Sequence, residues 1–223
     1  MEPVNVNAFD IIGDMAAASK IAFGAAVAYA AAGTVKATIA IAISDNLLGI
    51  ADWDAVEKDE DGFYSQYDIV PIISAGRCRV WVTSNEAAKE DILAGDYLEI
   101  ADLGSTNTLT VGALQQMGAE SGTCTGAVRE ATSIARALED VTLTDIEPAT
   151  LSGKTLTLLA ADIVLLGLAV GDYVVLEDAN AEAEINRVAA LPSTTTVTLQ
   201  FTPNTITAVD TLHKLHQVEV MLL

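Results

Sequence analysis

Short apolar stretches alternate with small or polar residues at every second position along much of the chain, the spacing of strands with one face turned inward. Val35, Ala37, Ile39, Ile41 and Ile43 keep that period, and Leu47 to Trp53, Ile69 to Ile73 and Arg77 to Thr83 read as further strands. A turn is expected at Ser74-Ala75-Gly76. The Ala-rich segment 21–33 also has a helical reading, because alanine has the highest helix propensity. Gly24, Val27 and the Ala32-Gly33-Thr34 turn favour a strand and hairpin instead. A loop is expected over Gly104 to Gly112, and residues 128–140 fit either a short helix or a strand. Farther along, Leu156 to Leu159, Tyr173 to Leu176, Glu184 to Ala190, Thr195 to Phe201 and Val218 to Leu222 give five short strands, the signature of a small barrel or sandwich.

One phrase occurs twice. Ala94-Gly95-Asp96-Tyr97-Leu98-Glu99 and Val170-Gly171-Asp172-Tyr173-Val174-Val175 each lead from an apolar residue through a Gly-Asp turn pair into an aromatic and β-branched run. The two copies lie in differently composed halves, separated by the punctuation of Asp145, Pro148 and Gly153. The expected fold is therefore mainly β, with two small β-barrel or β-sandwich domains and a flexible N-terminal arm. Its divisions are an arm at 1–18, a first barrel at 19–143 and a second small β-domain at 144–223.

Composition narrows the possible partners. Half the chain is hydrophobic (51%) but only 5% is aromatic, and 31 acidic against 11 basic residues give a formal charge of −20. A surface so negative repels phosphate backbones, so nucleic-acid binding is not expected. The N-terminus has no basic region ahead of an apolar core, so no secretion signal is expected. The most apolar stretch, Ile21 to Val35, is too short to span a bilayer, and no membrane partner is expected.

Candidate chemistry is sparse. Residues 57–68 place oxygen-bearing side chains at positions 1, 3, 5, 9 and 12 around Gly62, as a calcium loop does. Position 1 is Glu57 rather than Asp, position 12 is Asp68 rather than a bidentate Glu, and strands flank the segment, so an acidic hairpin tip is the preferred reading. His213 and His216, the two histidines, lack the further ligands of a zinc site and fit a turn or the start of the last strand. Cys78 and Cys124 have no metal-ligand spacing and are expected as free thiols, with a disulfide as the alternative. Ser121 or Ser133 paired with a histidine would be needed for a hydrolase, but no nucleophile elbow is present. Phosphate-binding and dinucleotide motifs are absent as well. No catalytic residue, cofactor or metal is assigned, and no enzymatic activity is expected.

The succession Ile21-Ala22-Phe23-Gly24-Ala25-Ala26-Val27, Leu48-Gly49-Ile50-Ala51-Asp52, Tyr67-Asp68-Ile69-Val70-Pro71-Ile72, Gly76-Arg77-Cys78-Arg79-Val80, Ala94-Gly95-Asp96-Tyr97-Leu98 and Ala135-Arg136-Ala137-Leu138-Glu139-Asp140 resembles the small β-barrel decoration, or cement, proteins of tailed-virus capsids. The resemblance covers roughly residues 15–143 and leaves 144–223 as an added domain. It implies a non-enzymatic structural protein on the outer capsid surface of a virion, made in the host cytoplasm. Its partners would be the major capsid protein and further copies of itself, commonly in a homotrimer bridging capsomers. A tail or baseplate component is the nearest alternative, and a surface carbohydrate- or calcium-binding β-module the more distant one.

Overall fold

A computed structural model describes residues 10–30, 36–39, 47–52, 63–83, 91–101, 112–117, 133–148, 150–178, 183–203 and 206–223. The protein is mainly β, and one 14-residue strand organises its first part. That strand, β7 (Ile69–Val82), follows β1 (Asp10–Ala17), β2 (Ile21–Ala22), β3 (Ala26–Tyr29), β4 (Lys36–Ile39), β5 (Leu47–Ala51) and β6 (Phe63–Tyr64). Its first half pairs with β1 and β5, which are joined through β4 and β3, so five strands close into a small barrel. The β2–β6 ladder stands beside it.

The second half of β7 belongs to another closure. There it pairs with β18 (His216–Leu222), which pairs in turn with β10 (Ala135–Ala137). The ring continues through β8 (Tyr97–Ile100) and β9 (Leu114–Gln116), and returns to β7 through a parallel bridge between Val82 and Leu114. Closure satisfies the edge groups that an open sheet leaves exposed. Inside this ring Val80, Val82, Leu98, Leu114, Val218 and Val220 are each fully buried.

Ser74-Ala75-Gly76 is therefore no turn. Ala75 pairs with Asp10, and Gly76, at φ 99°, pairs with Leu222, so the chain bends from one ring into the next without leaving the ladder. Glycine adopts that backbone without the steric penalty of a β-carbon. Within the Ala-rich segment, residues 21–30 hold strands β2 and β3, broken at Gly24, while the expected turn at Ala32-Gly33-Thr34 lies outside the described residues.

The remaining strands form one seven-stranded sheet. They are β11 (Asp145–Ile146), β12 (Thr150–Ser152), β13 (Thr155–Thr157), β14 (Tyr173–Glu177), β15 (Ala183–Ser193), β16 (Thr196–Leu199) and β17 (Thr211–Lys214), in the spatial order β11-β17-β14-β15-β16-β13-β12. Register shifts on either side of Ala190 bend β15. The bend folds the sheet over a core of Leu156, Val174, Leu176, Val197, Leu199 and Leu212. A six-residue helix, Ala160–Leu165, adds Ile163 to that core. Its Asp162 carboxylate accepts the Leu159 N–H at 3.2 Å, taking up one backbone donor at the helix start.

Two expected divisions shift. Asp10–Ala17, assigned to a flexible arm, is a barrel strand, because its backbone completes the ladder between β4 and β7. Val218–Leu222, assigned to the second domain, lies between β7 and β10 in the second ring, where alternate residues Val218, Val220 and Leu222 fill the interior. The units also share a core: Tyr173, Val175, Ile185 and Leu215 of the C-terminal half cluster with Met15 and Ile72 of the first barrel and with Ile21 and Phe63 of the β2–β6 ladder.

Candidate functional site

The repeated Gly-Asp-Tyr phrase builds the same device twice. In the first copy the Asp96 carboxylate accepts the Leu93 N–H at 2.8 Å; in the second the Asp172 carboxylate accepts the Ala169 N–H at 2.7 Å. Each carboxylate thus closes a turn onto the backbone three residues earlier. Gly95 N–H donates to the Ala137 carbonyl and Gly171 N–H to the Val188 carbonyl, both at 2.8 Å. On the facing strand an arginine answers: Arg136 Nε donates to the Gly95 carbonyl and Arg187 Nε to the Gly171 carbonyl, both at 3.0 Å. Each guanidinium also lies over the motif tyrosine, 5.4 Å from the Tyr97 ring and 5.8 Å from the Tyr173 ring. On the opposite flank Gln116 Nε2 donates to Asp96 at 2.9 Å, and Lys214 Nζ meets Asp172 at 2.7 Å.

The flanking strands arrive in different chain order. In the first copy the Gln116 strand precedes the Arg136 strand; in the second the Arg187 strand precedes the Lys214 strand. The sequence shows the turn and the tyrosine but not the arginine, since a single basic residue inside a strand carries no spacing signal.

The copies differ in what covers the tyrosine. Tyr97 is half-buried, whereas Tyr173 is enclosed by Trp81 and Phe63 with edge-to-face ring centroids at 5.0 and 6.1 Å. Beside this aromatic contact is a polar one, also between barrel and C-terminal sheet. His213, fully buried in β17, has Nε2 2.6 Å from the Thr83 hydroxyl. Its Nδ1 lies 3.5 Å from Asp145 and 3.8 Å from Glu177. A hydroxyl, imidazole and carboxylate in series are the parts of a nucleophilic triad. Thr83 is fully buried too, so no substrate reaches its hydroxyl, and the arrangement serves the junction between units.

The second histidine does not join this group. His216 begins β18 and pairs with Val82; burial pushes its titration below the ordinary 6.5, Lys214 adds to that, and Asp172 opposes it. Cys78 points into the second ring, and burial, then Asp52, then Glu219 push its thiol up to about 12. A cavity of about 300 Å³ opens where β7 passes between the rings, lined by residues including Phe23, Ile50, Ile73, Arg77, Cys78 and Gln217. Arg77 and Arg79 beside it are paired with Glu219 at 2.8 Å and Glu139 at 3.1 Å.

Of the acidic segment 57–68, residues 57–62 lie outside the described residues. The rest runs into β6, where Phe63 and Tyr64 are buried, and Asp68 accepts the Ser65 N–H at 2.7 Å. Cys124 and Ser121 also lie outside the described residues; Ser133 is half-buried just before β10. Among the described residues no group of three or more His, Cys, Asp or Glu side chains is placed to hold a metal ion, and no helix is long and apolar enough to cross a membrane.

No protein-family model matches the chain, and no curated protein gives a significant match.

Proposed function

We propose that this chain is a structural protein of a virion, decorating the outer face of an icosahedral capsid and bridging neighbouring capsomers. The observation that carries the reading is the closed five-strand barrel of β1, β4, β3, β5 and β7, which lies within the region that resembles the capsid cement proteins. Two rings joined through one continuous strand suit a load-bearing role, because a pull on either ring passes along β7 rather than through a loop. The exposed aliphatic side chains of Leu159, Val164, Leu165 and Val170 supply apolar surface for a neighbour on an otherwise acidic molecule. The resemblance to the cement proteins implies a homotrimer, one of the closed symmetries open to a homo-oligomer.

Binding to capsid shells tests the reading. Purified protein is mixed with empty shells assembled from tailed-virus major capsid protein and sedimented. Saturable binding at a fixed ratio to capsid subunits, with a trimer mass by light scattering, is the expected result. No co-sedimentation at any concentration, together with a monomer in low and high salt, would rule it out.

A further inference from the structure

We propose that the outer face of the Ala160–Leu165 helix, with the turn after it, is where copies of this chain meet one another. Four of the ten large hydrophobic side chains exposed among the described residues fall here: Leu159, Val164, Leu165 and Val170, each between 63% and 78% exposed. A six-residue helix is only about 9 Å long, so the side chains at its start and on its outer face are near neighbours. A second copy is the partner this surface fits; only the number of copies rests on the homotrimer of the proposed function.

The fold holds that surface still. Ile163 and Leu166 enter the core of the C-terminal sheet, which leaves Val164 and Leu165 on the opposite side of the helix. Gly167, at φ 56°, ends the helix: its N–H donates to the Val164 carbonyl at 3.1 Å, and the Leu168 N–H donates to the Ile163 carbonyl at 3.2 Å. That turn buries Leu168 and lets Val170 emerge. A helix apolar on both faces is ordinarily covered on both. Here the core covers one, while Val164 and Leu165 stay exposed on the other.

Charge decides what occupies the exposed face. Residues 155–171 hold one charged side chain, Asp162, although 19% of the chain is charged. The Asp162 carboxylate accepts the Leu159 N–H at 3.2 Å, and just beyond the segment Asp172 is paired with Lys214 at 2.7 Å. A basic partner finds its counter-charges elsewhere on a molecule of formal charge −20. Two such molecules repel over most of their surface, and least where neither brings an unbalanced charge. The same face of a second copy meets that condition and is apolar in turn, so the surface is self-complementary about a closed symmetry axis.

Light scattering of the full chain over a dilution series, in low and high salt, tests this. The expected result is a trimer whose association tightens in high salt, because screening removes the repulsion between copies and leaves the apolar contact intact. Val164→Glu combined with Leu165→Glu should weaken association by about a hundredfold, about tenfold for each aliphatic side chain withdrawn. Glutamate is a good helix former and neither position enters the core, so the urea midpoint should be unchanged. Should the double variant unfold, Val164→Glu alone, at the most exposed of the four positions, decides by a weakening of about tenfold. Leu223→Glu, exposed but outside the segment, should leave the mass as it is. A dimer that the double variant dissociates would uphold the contact and count against the trimer. Loss of shell binding with the oligomer intact would fault the capsid reading and leave the contact standing. A monomer at every concentration in both salts would overturn the proposal, as would an oligomer that the double variant leaves intact or that Leu223→Glu dissociates equally. So would a monomer that floats with phosphatidylcholine vesicles through these side chains, since a membrane would then be the occupant.

Discussion

Gly49 shows how much one missing side chain carries. It stands in β5 at φ 151°, and a β-carbon there would lie 2.1 Å from the Ile73 carbonyl oxygen and 2.8 Å from the Ile72 side chain. That oxygen is backbone of β7, which two rings hold in place, so it has little freedom to retreat. Gly49→Ala is expected to lower stability by about 3 kcal/mol, the sum of overpacking and backbone strain, seen as a lower urea midpoint at unchanged slope. Cys78 gives a pH prediction. Its thiol titrates at about 12 rather than 9.0, so between those values the unfolded chain sheds a proton that the folded chain keeps. Stability should therefore fall as pH rises above 9, and replacing Cys78 with Ala should remove that part of the fall. In a Cys124→Ala background at pH 8, the remaining thiol should react with a thiol reagent only on unfolding.

At the scale of elements, the doubled turn makes the arginines the next test. Arg136→Met and Arg187→Met keep length and apolar stem but remove the hydrogen bond to Gly95 or Gly171 and the cation over the tyrosine. Each is expected to cost about 1 to 2 kcal/mol. Arg187→Met should cost more, because Tyr173 is buried against Trp81 and Phe63 while Tyr97 is partly open to water. The strands around these turns were legible because alternation and Gly-Asp are local signals. The course of β7 was not. Ser74-Ala75-Gly76 has turn composition, and only its partners Asp10 and Leu222, distant in sequence at opposite ends of the chain, keep it in a ladder. The helix Ala160–Leu165 was missed for a related reason: six residues give too little of a 3.6-residue period to stand out in an apolar stretch.

For the whole molecule, the last strand decides how many cooperative units exist. Because β18 lies between β7 and β10, stopping the chain after Leu215 removes a stave from the second ring and opens its core. Such a truncation is expected to lose cooperative unfolding throughout residues 10–143, and a fragment of 144–223 should be unable to bury Tyr173, Val175 and Leu215. The repeat in the sequence read as two independent cores; the shared cluster and His213 junction come from long-range pairing that no local pattern records. The thin candidate chemistry has a similar cause. A buried imidazole between two carboxylates and a threonine looks, in sequence, like four unrelated residues. The proposed role concerns assembly, and cryo-electron microscopy of tailed-virus heads prepared with and without this chain tests it most directly. The account predicts outer-surface density into which the two linked barrels and the seven-stranded sheet fit, repeated at fixed symmetry positions and contacting neighbouring capsomers. Heads that carry no such density, with the protein absent or confined to the tail, would contradict it.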